Sequence, residues 1–145
     1  MTSQKIDQMQ VYLANLHILY QKYRNYHWNI IDPQFVELHE FFEEQYNQIS
    51  EHIDEVAERI RMLDVFPKSK IADYLQIATL TEDEIQTKKE LMIQNLIGDT
   101  TTVITHTNAV IKLCEEDSDY GNADVFTAIL QSFEKTGWML KSMNV

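Results

Sequence analysis

The chain has 145 residues, which is enough for a single hydrophobic core, and we expect residues 1–145 to form one domain. Its formal net charge of −11 at pH 7 favours cations as partners and repels the phosphate backbone of DNA, so direct DNA binding is not expected. The sequence shows no apolar run long enough for a membrane-spanning helix and no secretory signal at its start. Its single cysteine, Cys114, has no partner for an intrachain disulfide, which favours the reducing cytoplasm.

Apolar residues at helical spacing mark the first predicted helix, from about Ser3 to Asn29. The stripe consists of Ile6, Met9, Leu13, Leu16, Leu19, Tyr20 and Tyr23. The sequence "NIIDP" ends this helix, because the residue before Pro33 is pushed out of the helical region. A second helix is predicted from about Gln34 to Leu63, where "DVFPKS" closes it, and a short helix from Ile71 to Gln76 lies in the connection that follows.

Two further long helices are predicted in the second half of the chain. The sequence "TEDE" at Thr81 to Glu84 has the pattern of a capping box, so we expect a helix to begin there and to run to about Cys114. The acidic loop "EEDSDYGN" follows, with Asn122 as the expected N-cap of a last helix that ends near Lys141. The predicted fold is therefore all-α, a four-helix bundle with a short extra helix in the connection between the second and third long helices.

Four polar residues of the second helix share one face. With His39 at zero and 100° per residue, Glu43 lies at about 40° and Asp54 at about 60° around the helix axis. Glu58 follows at about 100°, whereas His52 falls at about 220°, away from this face. Imidazole nitrogens combined with carboxylate oxygens suit Fe²⁺, Zn²⁺ or Mn²⁺. The pattern therefore predicts a metal site.

The same residues form two clusters along the helix axis. The pair His39 and Glu43 is separated from the pair Asp54 and Glu58 by about 22 Å of helical rise, whereas a ligand atom lies about 2 Å from its metal ion. One chain cannot place both clusters on one ion. Two copies packed antiparallel about a two-fold axis can, because His39 of one chain then approaches the acids of the other. His27, at the end of the first helix, is placed to supply a second imidazole.

The common di-iron motif within one bundle is Glu-x-x-His. No glutamate stands three residues before any of the five histidines. The sequence therefore favours a site between two chains over a site inside one bundle.

These residues also match a family pattern. The sequence "HWN" at His27 to Asn29 precedes Pro-x-Phe-x-x-Leu-His at Pro33 to His39. Phe-Glu-Glu-x-Tyr follows at Phe42 to Tyr46, and Asp-Glu-x-Ala-Glu-Arg-Ile at Asp54 to Ile60. A weaker similarity lies in "DVFTAILQSFEKTGWMLKS", Asp124 to Ser142. The pattern resembles the Dps family, the mini-ferritins named as DNA-binding proteins from starved cells, and it spans nearly the entire chain.

The resemblance implies a ferritin-like fold and a hollow homo-dodecamer with ferroxidase centres at its two-fold interfaces. It implies that Fe²⁺ is oxidised there, preferably by hydrogen peroxide, and is stored as a ferric mineral, which protects the cell and its DNA. The catalytic metal ligands that it implies are His27 and His39 from one subunit and Asp54 and Glu58 from its mate. Glu43 is a further ligand, directly or through a water, and Zn²⁺ is a second candidate for the same site. Trp28 matches an aromatic residue beside the centre that can intercept an oxidising equivalent.

The resemblance also implies a pore through which iron enters at a three-fold axis. Asp119 and Asp124 are the candidate pore residues, and Glu115 and Asp117 are further ones. The first ten residues contain one basic residue, Lys5, whereas the DNA-binding members of the family carry a longer lysine-rich tail. DNA protection is therefore expected to be chemical rather than by physical binding.

Simpler interpretations of the same residues stay open. The main alternative is a DNA-compacting structural protein without significant ferroxidase activity, and another is a metal-free helical assembly in which the histidines only pack. Carboxylates on a helix usually form a solvated face, and Trp28 is also explained by packing. Asp119 and Asp124 are also explained by a solubilising loop and a helix start. For three other histidines we expect only a structural role: His17, His52 and His106.

Overall fold

The structure, a computed structural model, describes residues 3–143, which form five helices and no strand. The helices are α1 (Ser3–Asn29), α2 (Phe35–Met62), α3 (Ile71–Ile77), α4 (Lys89–Glu116) and α5 (Tyr120–Met143). Helix α1 packs along α2, α4 packs along α5, and α1 also contacts α4 and the short α3. The predicted all-α bundle with its short extra helix is confirmed. None of the helices in this part of the chain has the apolar length that crossing a bilayer requires.

The core of the bundle lies along α1. Most of the predicted apolar stripe is fully buried, namely Met9, Leu13, Leu16, Leu19 and Tyr23. Each large apolar side chain that is removed from water in this way stabilises the fold by about 1.5–3 kcal/mol. The buried hydroxyls of Tyr12 and Thr107 satisfy each other through a 2.8 Å hydrogen bond, whereas the buried hydroxyl of Tyr23 has no hydrogen-bond partner within residues 3–143.

The turn between α1 and α2 is short and fixed by Asp32. Its carboxylate Oδ2 accepts a 2.9 Å hydrogen bond from the backbone N–H of Gln34, and its carbonyl accepts one of 3.0 Å from Phe35. Helix α1 ends at Asn29 as predicted, and α2 begins within one residue of the predicted start. The turn therefore sets the last turn of α1 beside the second turn of α2, where the two histidines of the predicted site lie.

The predicted start of α4 at Thr81 is wrong, because the helix begins at Lys89. Residues 81–88 are not helical, and their polar groups form hydrogen bonds with α1 and the turn after it instead of capping a new helix. Three hydrogen bonds join this segment to the end of α1 and the turn after it: Tyr26 Oη to Asp83 Oδ2 at 2.6 Å, Asn25 Nδ2 to the Glu84 carbonyl at 2.9 Å, and the Ile31 N–H to the Thr87 carbonyl at 3.0 Å. The local capping pattern is thus overridden by contacts with a distant helix.

The prediction that Asn122 caps α5 is also wrong. Helix α5 begins at Tyr120, which makes Asn122 its third residue, and Asp119 takes the capping position. The carboxylate of Asp119 accepts hydrogen bonds from the Asn122 backbone N–H at 3.3 Å and from its side-chain amide at 2.7 Å. A carboxylate at this position satisfies a free N–H and complements the positive end of the helix, which explains the earlier start.

Candidate metal centre

His27 and His39 lie directly against each other where α1 and α2 meet. Their ring centroids are 3.7 Å apart and the ring planes differ by 12°, so the two imidazoles are stacked. His27 is buried, with 6% of its surface exposed, and His39 is half-buried. The structure thus brings together the two histidines that the sequence proposed as partners.

A reciprocal pair of hydrogen bonds determines which nitrogen of each ring carries the proton. Nδ1 of His27 lies 2.7 Å from the carbonyl oxygen of His39, and Nδ1 of His39 lies 2.7 Å from the carbonyl oxygen of His27. A carbonyl oxygen only accepts hydrogen bonds, so each Nδ1 must donate and carry the proton. In the neutral form of each ring the lone pair then resides on Nε2, the atom that a metal ion would bind.

Aromatic neighbours hold the two rings in place. Phe35 stacks on His39 with centroids 4.8 Å apart, and Tyr46 meets His27 edge-on at 5.2 Å. Rings that are locked by packing and by second hydrogen bonds lose little freedom when a ligand binds, which is the usual condition of a preorganised site.

Glu43 joins the histidine pair from the next turn of α2. Its Oε1 lies 3.8 Å from Nε2 of His27, and the side chain is 53% exposed. The carboxylate is therefore close to the nitrogen that carries the lone pair and is open to solvent. Its role as a ligand, directly or through water, stays a prediction.

The distal acids of α2 lie apart from this cluster. Asp54 and Glu58 are exposed, and within residues 3–143 neither makes a hydrogen bond or an ion pair. In the same part of the chain, no three His, Cys, Asp or Glu side chains come close enough together to hold a metal ion. A single chain therefore brings the two imidazoles together without Asp54 and Glu58. Completion of the site by these two acids from a second chain stays a prediction.

The other three histidines all have packing partners. His17 stacks on Tyr74 at 4.1 Å, His52 hydrogen-bonds the Ser132 hydroxyl at 3.2 Å, and His106 hydrogen-bonds the Gln8 amide oxygen at 3.0 Å. Burial lowers the pKa of all three, that of His52 to about 4, so they stay neutral near pH 7. These contacts agree with the structural role expected for them.

Trp28 has a neighbour that the sequence analysis missed. The indole is 54% exposed, and the guanidinium carbon of Arg24 lies 4.8 Å from the centroid of its ring. The available signal was the spacing of four residues between them, which places two side chains on the same face of a helix.

The acidic loop before α5 is partly engaged in ion pairs. The ammonium group of buried Lys5 lies 2.7 Å from Asp119 and 3.2 Å from Asp117. Partial burial alone would raise the pKa of Asp119, but the hydrogen bonds from Lys5 and Asn122 outweigh it and hold the pKa below its usual range. Asp124, on the first turns of α5, is exposed. The assignment of these acids to a pore stays a prediction.

Comparisons with known proteins agree with the fold and with the sequence pattern. Residues 6–144 match the family model described as Ferritin, ferritin-like domain. The DNA protection during starvation protein 2 of Bacillus anthracis is 30% identical over 142 residues, covering 98% of this chain and 97% of that protein.

Two solved structures superpose on most of the chain. Dps from Thermosynechococcus elongatus does so with a TM-score of 0.94 at 35% identity, covering 98% of this chain and 90% of the other. The DPS protein of Vibrio cholerae O1, described as a member of a broad superfamily of ferritin-like diiron-carboxylate proteins, gives a TM-score of 0.94 at 30% identity. It covers 97% of this chain and 88% of the other. The predicted ferritin-like character of the bundle is thereby confirmed.

Proposed function

Because this chain belongs to the Dps family of ferritin-like proteins, we propose that it is a ferroxidase, which oxidises Fe²⁺ with hydrogen peroxide and stores the ferric product. The observation that carries the proposal is the reciprocal hydrogen bonding of His27 and His39. Two neighbouring imidazoles with both Nδ1 atoms protonated have both Nε2 lone pairs left for Fe²⁺.

The second half of the site comes from another copy of the chain. When two α2 helices pack antiparallel, Asp54 and Glu58 of one copy approach the imidazole pair of the other, and two equivalent sites arise about 22 Å apart. The exposed state of these two acids in the single chain supports this arrangement, because nothing within residues 3–143 competes for them. Carboxylate oxygens also bind iron more strongly as its charge rises, so the product is not lost during oxidation.

The chemistry requires two electrons for each peroxide. One H₂O₂ takes one electron from each of two Fe²⁺ ions and two protons from solution, which yields two Fe³⁺ ions and two waters. Zn²⁺ binds the same nitrogen and oxygen ligands without redox chemistry and is therefore expected to compete with Fe²⁺.

The ferric product is stored inside a hollow homo-dodecamer that is built from such dimers and located in the cytoplasm. Fe²⁺ enters through pores lined by the acidic residues at the start of α5. Asp124, which is exposed, is the better pore candidate, because Asp119 is bonded to Lys5 and Asn122. Removal of both Fe²⁺ and peroxide protects the cell and its DNA, since together they generate hydroxyl radicals.

Anaerobic mixing of the Fe²⁺-loaded protein with peroxide tests this function. We expect a fast rise in ferric absorbance, two Fe²⁺ consumed for each peroxide, and little hydroxyl radical captured by a spin trap. Free Fe²⁺ at the same concentration is the control. A protein sample that oxidises iron no faster than this control, with the same radical yield, would contradict the proposal.

DNA compaction is the second candidate, and the names of three relatives mention DNA protection. The net charge of −11 opposes it, and the basic residue nearest the N-terminus, Lys5, is buried and paired with Asp117 and Asp119. We expect no gel shift of plasmid DNA at low salt with up to about 10 μM protein. A variant with an added lysine-rich N-terminal extension serves as the positive control. Tight binding by the unmodified chain that weakens steeply with salt would show that physical DNA binding contributes.

A further inference from the structure

Arg24 is surrounded by aromatic rings rather than by acids. It lies on α1 one turn before Trp28, and its guanidinium carbon is 4.8 Å from the centroid of that ring. The rings of Tyr46 and Tyr20 lie at 5.2 Å and 5.6 Å from the same carbon. Its Nη1 also donates a 2.8 Å hydrogen bond to the Tyr20 hydroxyl. Three aromatic side chains therefore share one cation.

Arg24 has no carboxylate partner in the described part of the chain, so the aromatic rings are its main electrostatic neighbours. Within residues 3–143 Arg24 forms no ion pair with a carboxylate, although the sequence has 23 acidic residues against 12 Lys and Arg. An arginine side chain stays charged at every pH at which a protein is folded. The negative faces of the rings stabilise this charge, and the charge in turn acts on the rings.

The same aromatic group reaches the metal centre. Tyr46 contacts His27 edge-on, with ring centroids 5.2 Å apart, and Trp28 directly follows His27 in the chain. An oxidant that forms beside the imidazole of His27 therefore has the ring of Tyr46 in contact, and Trp28 shares the guanidinium of Arg24 with that tyrosine.

We propose that Arg24 is a positioning residue whose positive charge opposes the one-electron oxidation of Trp28, so that the oxidising equivalents of peroxide are used on iron. Removal of an electron from an indole leaves a radical cation, and a fixed positive charge over the same ring destabilises that cation by Coulomb repulsion. The benefit for iron oxidation rests on the proposed ferroxidase function. The effect on Trp28 itself does not.

The competing reactions share their first step. One Fe²⁺ and one H₂O₂ give Fe³⁺, hydroxide and a hydroxyl radical. In the productive branch a second Fe²⁺ donates one electron to the radical, giving Fe³⁺ and a second hydroxide. In the damaging branch the electron comes from the indole of Trp28, giving hydroxide and an indole radical cation that then loses its N–H proton. Arg24 raises the cost of the second branch, because its charge lies over the indole that would become a cation.

The test on Trp28 uses the assembled, metal-free protein. Trp138, the other of the two tryptophans, is replaced in all samples (Trp138→Phe), so that only Trp28 reports. Azide radicals from pulse radiolysis take one electron from the indole and become azide ions, and because the radical is neutral its approach does not depend on protein charge. Arg24→Gln and Arg24→Met remove the charge, and Arg24→Lys keeps it. We expect the rate of indole radical formation to rise about threefold or more in the two neutral variants and to stay near wild type with lysine.

Each outcome decides the proposal. Unchanged rates in the Gln and Met variants overturn it, and an equal rise in the Lys variant overturns it too, because simple shielding by the side chain would then be the cause. In a second experiment with Fe²⁺ and peroxide, peptide mass spectrometry should find a larger oxidised fraction of Trp28 in Arg24→Gln. No such increase, with the metal-free effect present, would refute the link to iron. If the wild-type protein shows no ferroxidase activity, the proposed function is refuted, but the result on the metal-free protein still stands.

Discussion

The double variant His27→Ala with His39→Ala is expected to lose peroxide-dependent Fe²⁺ oxidation by at least about a hundredfold, because it removes both proposed nitrogen ligands of the centre. The oxidation rate of each single variant should lie between those of the wild type and the double variant. Alanine keeps the backbone carbonyl to which the remaining histidine donates, so the remaining ring keeps its Nδ1 proton and its Nε2 lone pair. Stopped-flow absorbance of the ferric product, at matched protein and iron concentrations, measures the rates.

The matched control is His106→Gln, which removes an imidazole that hydrogen-bonds Gln8 and lies away from the centre. This variant should keep the wild-type rate. Light scattering must show the same oligomer for all samples, because a collapsed assembly would also lose activity. If the double variant stays assembled and oxidises iron at the wild-type rate, then the assigned ligands are wrong.

The histidine pair could be predicted because short-range signals determine it. Pro33 ends α1, the turn that follows is short, and His27 and His39 are therefore brought to the same end of two paired helices. The reciprocal bonds to backbone carbonyls could not be predicted in the same way. They depend on the distance and rotation of two packed helices to within a fraction of an ångström, which no residue pattern specifies.

The two wrong helix starts have a common cause. A capping residue competes with other partners, and the outcome depends on the tertiary structure. Asp83 is within the "TEDE" pattern, but its carboxylate accepts a hydrogen bond from Tyr26 on α1. At α5 the expected cap is Asn122, but Asp119, which also pairs with Lys5, takes the position. Neither partner is near in sequence, so local patterns mislead at both sites.

The acid half of the centre is a prediction that rests on helix periodicity and the family resemblance. Asp54 and Glu58 lie exposed on α2, where acids usually form a solvated face. Their proposed role depends on a second chain, so the structure of one chain gives them no partner. Only an experiment in which histidines and acids come from different chains can separate a shared site from a solvated surface.

Mixed assemblies of two inactive variants are therefore expected to recover about a quarter of the wild-type ferroxidase activity. One chain carries His27→Ala with His39→Ala, and the other carries Asp54→Asn with Glu58→Gln. Either chain alone makes only defective sites. With equal amounts and random pairing, half of the dimers contain one chain of each type, and each such dimer has one intact site and one site that lacks both halves.

The comparison that decides is between co-assembled and separately assembled samples. Mixing preformed oligomers that do not exchange subunits should give no recovery, whereas co-refolding or co-expression should give it, with mass spectrometry confirming the mixed composition. If activity recovers although the preformed oligomers exchange no subunits, a site shared between two chains cannot explain the recovery. Verified mixed oligomers that stay inactive would mean that the acids act within their own chain or do not bind iron. Because the two defects lie on different chains, only a site built across the two-fold axis allows one to compensate for the other.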